Sequence, residues 1–186
     1  MTRPLPLRVD ADVELVLLDQ QRTDAVHALV LSSLEHLRPW EEIARPDLTR
    51  DEVVEYVRAG EDAWAQGRAI PAAIVYRGEV AGVVGARIAR EAGRAEVGYW
   101  LGTAHLGRGI MTRAVRAVVR TLFDDEGLHR VELRTAADNQ PSRAVADRLG
   151  FTLEGTLRET YLLDGVRHDL CVYGLLRTDD VQDQTS

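Results

Sequence analysis

The sequence predicts one α+β domain in which mostly antiparallel strands surround a single strand–helix–strand crossover. Three observations predict it. Three strand-like runs, Ile70 to Tyr76, Val80 to Ile88 and Ala95 to Leu101, follow one another through turn residues as a meander. An amphipathic stretch from about Gly109 to Phe123 comes directly after the third run, and the alternating segment His129 to Ala136 comes directly after that helix. Two further strand-like runs then return around Asp164-Gly165.

Taken in order, Val13 to Leu18 is short and apolar between Asp12 and Asp19, a first strand. From Thr23 to Leu37, Val26, Leu29, Val30, Leu34 and Leu37 form a helical stripe, with Thr23 the expected N-cap and Pro39 the stop. Thr49 and Glu52 have the spacing of a capping box, so a second helix is expected from Thr49 to a stop at Gly67. Arg77-Gly78-Glu79 supplies a hairpin turn between the next two strands, and Gly93 turns the chain into the third.

The helix near 109–123 carries Ile110, Met111, Ala114, Val115, Val118, Leu122 and Phe123 as its apolar stripe, with Arg113, Arg116 and Arg120 off it. Asn139 and Pro141 introduce a short helix that ends at Leu149, with Gly150 as the cap residue. Strands are expected at Phe151 to Leu157 and Asp169 to Leu176. Residues 1–177 are read as one domain and 178–186 as a polar tail.

Hydrophobic residues make up 45% and charged residues 28% of the 186, as in a folded soluble domain. The net charge of −7 argues against nucleic-acid binding, which needs a basic face. The single Cys171 excludes an intrachain disulfide and a cysteine-built metal site, and its apolar setting suits a small core residue. With no secretory core and no apolar run long enough to span a bilayer, neither a membrane partner nor a metal is expected, and the cytoplasm is the expected location.

The turn between Leu101 and the following helix reads HLGRGIM. Gly107 and Gly109 let the backbone approach a ligand, and amides opening a helix favour anions. A Gly-x-Gly alone also fits a plain strand-to-helix connection. A triphosphate loop would need Lys and Ser or Thr after its last Gly, and a dinucleotide fingerprint would need a third Gly; both are absent.

Further motifs surround this turn: Gly98-Tyr99-Trp100-Leu101 before it, Gly109-Ile110-Met111 within it, His129-Arg130-Val131 after the helix, then Asn139 through Arg158, His168-Asp169 and Val172-Tyr173. Residues 80 to 177 in this arrangement resemble the GNAT N-acetyltransferases, most closely the RimJ/RimL-like branch, which acetylates protein N-terminal amines. The coenzyme motif of that family is Gln/Arg-x-x-Gly-x-Gly/Ala. Leu106 stands at its first position and Met111 at its last; both changes keep the backbone amides.

The resemblance implies a sheet splayed between the fourth and fifth strands (95–101 and 130–136), flanked by about four helices. It implies acetyl-CoA as the coenzyme, bound by Leu101, Leu106, Gly107, Arg108, Gly109, Ile110, Met111, Thr112, Asn139 and Ser142. It also implies direct attack of an amine on the thioester, which calls for a base, donors for the oxyanion and an acid for the thiolate. The tyrosine that many members use as acid is replaced by Ala146, so Ser142 is the expected group near sulfur. A role for Ser142 in starting the helix is the alternative, and Asn139 serves either pantetheine or the turn.

Glu96, on a strand lining the gap, is the first candidate base; Glu41, Glu42 and His168 are the others, and a solvated carboxylate is the structural alternative. Tyr99 and Trp100 are expected to pack against the helix rather than touch substrate. His36, Trp40, Glu41 and Glu42 on one side, and Tyr161 and His168 on the other, flank the expected acceptor site. The acceptor is then the N-terminal amine of a protein or peptide, with a small amine or a non-catalytic acyl-CoA sensor as the alternatives. A homodimer is common in such families.

Overall fold

The computed structural model describes residues 5–179, so residues 180–186 of the expected polar tail lie outside the described residues. Its strands are β1 (Leu7–Arg8), β2 (Val13–Leu17), β3 (Ala69–Tyr76), β4 (Glu79–Ala89), β5 (Arg94–Leu101), β6 (Arg130–Ala136), β7 (Thr152–Leu163) and β8 (Val166–Leu176). They form one sheet in the order β1-β2-β3-β4-β5-β6-β8-β7. Neighbours pair antiparallel except β5 and β6, which are parallel and joined by the crossover helix between them.

That parallel junction is short. Pairing runs from Arg94↔Arg130 to Val97↔Leu133 and stops, while β5 continues to Leu101 and β6 to Ala136. The strands diverge there, leaving the splay expected between the 95–101 and 130–136 segments.

The helices are α1 (Thr23–Ser32), α2 (Leu34–Leu37), α3 (Arg50–Ala65), α4 (Ile110–Asp124) and α5 (Gln140–Arg148). On one face of the sheet, α4 buries Ile110, Met111, Ala114, Val115, Val118, Val119, Leu122 and Phe123 against Val97, Val131, Leu133 and Tyr173. Each large side chain among them contributes roughly 1.5–3 kcal/mol of burial, which makes this stripe the main anchor of the crossover. On the other face, Val26, Val30, Val53 and Val57 of α1 and α3 cover Ala73, Val83 and Trp100.

Period-two alternation decides what β5 offers each side. Ala95, Val97 and Leu101 belong to the core under α4, whereas Trp100 belongs to the core under α1 and α3. Glu96 shares the Trp100 side, and Tyr99 packs on the α4 side.

Several boundaries differ from the sequence reading. The helix expected from Thr23 to Leu37 breaks at Ser33, which leaves helical geometry (φ −119°, ψ 13°) and accepts the Thr103 amide on its hydroxyl at 3.1 Å. Thr23 is not an N-cap: it is already helical and buried, and Asp19 instead accepts the Gln21 amide to open a 3₁₀ turn at Gln20–Arg22. The β7–β8 hairpin is longer than the runs at Phe151 to Leu157 and Asp169 to Leu176. Almost every β7 residue is exposed, so no buried face imprints alternation on its sequence, and its pairing with β8 slips at Leu153/Gly155 and at Leu157/Tyr161. The Asp164-Gly165 turn itself stands, as does the capping box of Thr49 and Glu52.

Candidate active site

A cleft of ≈ 1340 Å³ opens at the splay. The residues expected to meet the coenzyme or the reaction line this one space: Glu96, Leu101, Leu106 to Thr112, Asn139 and Ser142. His36, Trp40, Glu41, Glu42 and Tyr161 line it too, whereas His168 does not.

At one end lies the turn into α4. Gly107 and Gly109 have φ of +72° and +66°, a left-handed backbone that disfavours any residue with a Cβ. A Cβ at either would meet nothing within 4 Å, so conformation rather than room selects glycine here. The amides of Gly107, Arg108 and Gly109 donate no backbone hydrogen bond among the described residues, and those of Ile110 to Thr112 open the helix.

Arg113 braces this turn from behind. Its guanidinium donates to the Arg108 carbonyl at 3.2 Å and the Gly109 carbonyl at 3.4 Å, and pairs with Asp10. Burial by itself would raise the Asp10 carboxyl. Amides of Asp12 and Val13 and the Arg113 cation outweigh that and hold it below its ordinary value. Arg116, one turn further along α4, lines the cleft with a buried Nε that has no partner among the described residues. Unpaired amides, a helix N-terminus and a cation with an open donor together fit a pyrophosphate.

At the splay itself, the Tyr99 hydroxyl lies 3.0 Å from Ser142 Oγ, either group able to donate, and 3.3 Å from the Ser142 carbonyl. Asn139 caps α5 by accepting the Ser142 amide at 3.2 Å. The helix-start bond therefore uses the Ser142 backbone, and its hydroxyl is turned to Tyr99. Burial pushes the Tyr99 phenol well above its usual range, so it holds its proton and acts as a donor. Tyr99 thus packs as expected and also brings a hydroxyl into the cleft. Nothing local marks that pairing, because the partners are 43 residues apart.

Glu96 meets two guanidiniums, Arg87 at 2.6 Å and Arg134 at 3.8 Å. These belong to a ladder across the sheet face in which Glu132 also pairs with Arg94, Arg130 and Arg134, and Glu154 with Arg130.

The opposite wall is fixed by ties between distant elements. The Tyr161 hydroxyl donates to the Trp40 carbonyl at 2.8 Å, and Arg38 pairs with Asp164 at 2.7 Å. His168 sits against Trp40 and Tyr161, ring centres 6.3 and 6.2 Å away, and its Nδ1 is 3.2 Å from Asp138. The tip of the β7–β8 hairpin is thereby fastened to the loop after α2. Within that wall, burial and then Glu42 push the Glu41 carboxyl up to about 8. Burial, with Glu41 nearby, pushes the Tyr56 and Tyr161 phenols up to about 12.

Residues 13–152 match the model of the acetyltransferase (GNAT) domain. The chain belongs to the GNAT acetyltransferase family. The acetyltransferase is 29% identical over 177 residues to the putative ribosomal N-acetyltransferase YdaF of Bacillus subtilis (strain 168), an alignment covering 92% of this chain and 95% of that protein. Among solved structures it is similar to the ribosomal L7/L12 alpha-N-protein acetyltransferase RimL in complex with coenzyme A. The TM-score is 0.88 at 28% identity, covering 92% of this chain and 97% of that one. It is also similar to the microcin C7 self-immunity acetyltransferase MccE in complex with acetyl-CoA and AMP, with a TM-score of 0.87 at 26% identity and 93% and 97% coverage. The splay and the turn before α4 are therefore features of an acetyltransferase fold.

Proposed function

We propose that the chain transfers an acetyl group from acetyl-CoA to the N-terminal α-amine of a protein or peptide. The observation that carries this reading is the Tyr99–Ser142 hydroxyl pair, set in the splay of a cleft whose other end is an anion-binding turn. Acetyl-CoA supplies an activated acetyl thioester. The amides of Gly107 to Thr112 would hold its pyrophosphate, with Arg116 as a further donor, and Leu101 and Asn139 would flank the pantetheine. With Tyr99 donating to Ser142 Oγ, the serine proton is free to turn toward the sulfur, the role left open by Ala146. Glu96, the candidate base on β5, has its carboxylate shared by Arg87 and Arg134, which lowers its readiness to take a proton.

The relatives YdaF and RimL support a ribosomal-protein acceptor. A cytoplasmic location and a homodimer belong to this reading. A small-amine acceptor is the second reading. It is favoured by the fastening of Tyr161 to Trp40 and Arg38 to Asp164, which ties the β7–β8 hairpin to the loop after α2, and by the likeness to MccE. Thiol release from acetyl-CoA with N-terminal peptides and with small amines decides between them. Turnover is expected with peptides; turnover confined to small amines establishes the second reading. Coenzyme binding without any turnover leaves a sensor.

A further inference from the structure

Among the described residues four carboxylates line the cleft, and their surroundings separate them. Glu52 accepts the Thr49 amide and the Arg45 guanidinium at the start of α3. Glu96 lies between Arg87 and Arg134. Glu42 is exposed. Glu41 keeps only part of its surface accessible and has neither a hydrogen bond nor an ion pair on its carboxylate among the described residues.

The backbone around Glu41 is nevertheless fixed. Its amide donates to the Leu37 carbonyl at 2.9 Å, and its own carbonyl accepts from Ala44 at 3.0 Å. The adjacent Trp40 carbonyl accepts from Tyr161. A rigidly held carboxyl without a partner, in a wall facing the splay, is placed to meet an ammonium, whose charge would favour its ionised form. Glu42 on the same loop adds to the push on Glu41, whose own charge reaches Tyr56 from α3, Tyr99 from β5 and Tyr161 from β7. None of them is a cation.

We propose that Glu41 receives the acceptor ammonium and removes its first proton. This inference rests on the reading given above. The free amine attacks the thioester carbonyl carbon, a C–N bond forms, and the C–S bond breaks with its electron pair leaving on sulfur. The second nitrogen proton reaches the sulfur through the Ser142 and Tyr99 hydroxyls, and Glu41 returns the first to solvent. One ammonium and one thioester give one amide, one thiol and one proton.

The test compares wild type with Glu41→Gln on two peptides, one with an ordinary α-amine and one beginning with trifluoroalanine, whose amine is neutral at pH 7. The expected result is a drop of roughly 10²-fold in kcat/KM on the ordinary peptide and a drop of only severalfold on the fluorinated one. A drop of equal size on both, or no drop on either, overturns the role. Calorimetry with CoA shows that the variant is folded; should it fail to bind, Glu41→Ala enters the same comparison. A wild-type chain that acetylates no peptide overturns the proposed function and this inference with it. Wild-type turnover with an unaffected variant removes Glu41 alone.

Discussion

The hydroxyl of Tyr99, on the fifth strand, stands 3.0 Å from the hydroxyl of Ser142, in the first turn of the last helix. Either substitution, Ser142→Ala or Tyr99→Phe, is expected to lower kcat by roughly 10²-fold, within the range for a positioned proton donor. Acetyl-CoA affinity should change little. Because the two act as one unit, the double variant should be hardly slower than the worse single one. Single-turnover kinetics with calorimetry checks this, and additive losses would show that the hydroxyls act separately.

Gly109 caps α4 from a left-handed backbone at φ +66°. Gly109→Ala keeps the amide but forces a Cβ into that conformation, at a cost of roughly 1–2 kcal/mol. Tm should fall by roughly 2–8 °C for a chain of this size, and coenzyme affinity should fall with it as the turn relaxes. Thermal unfolding with and without CoA measures both.

Arg113 holds the carbonyls of the same turn and is itself held by Asp10. Asp10→Asn should raise the Kd for CoA severalfold while kcat at saturation stays near wild type. The sign of the pH effect follows from the depressed Asp10 carboxyl: the tie is fully present above the ordinary value of 3.8 and is lost as pH falls below it. Affinity of the wild type should drop toward that of the variant at the acid end of a binding profile.

Thr49 and Glu52 close the start of α3 reciprocally. Bonds from the Thr49 amide, then Arg45, hold Glu52 down to about 2. Its folded value lies below the ordinary 4.5, so its contribution stands above that pH and disappears as pH falls toward 2. Thr49→Ala should lower stability by about 1 kcal/mol at neutral pH and by less in acid, measured by urea unfolding across pH.

How much of this could be read from residues alone depended on distance along the chain. The crossover helix was legible because nine of its residues are buried on one stripe, a signal contained in fifteen positions. The turn before it and the Thr49 cap are likewise local. The break at Ser33 was not legible, since what stabilises it is the amide of Thr103, 70 residues away. From residues alone Tyr99 reads as a packing residue for the same reason. Glu41 could be counted among the acidic residues of a loop. Its burial and lack of a partner arise only when α3, β5 and β7 close around it.

A sheet that parts in its middle has four edges, and exposed strand edges invite pairing with other chains. The inner two, at the ends of β5 and β6, are recessed in the cleft. One outer edge, β1, is two residues long. The other is the twelve-residue β7, which carries exposed Leu153 and Leu157 and would by itself be an aggregation hazard. Its slipped register beside those two leucines, and the left-handed backbone of Glu159 at φ +52°, break up the straight row of donors and acceptors that a foreign strand would need. These irregularities thus serve as protection against fibrillar self-association.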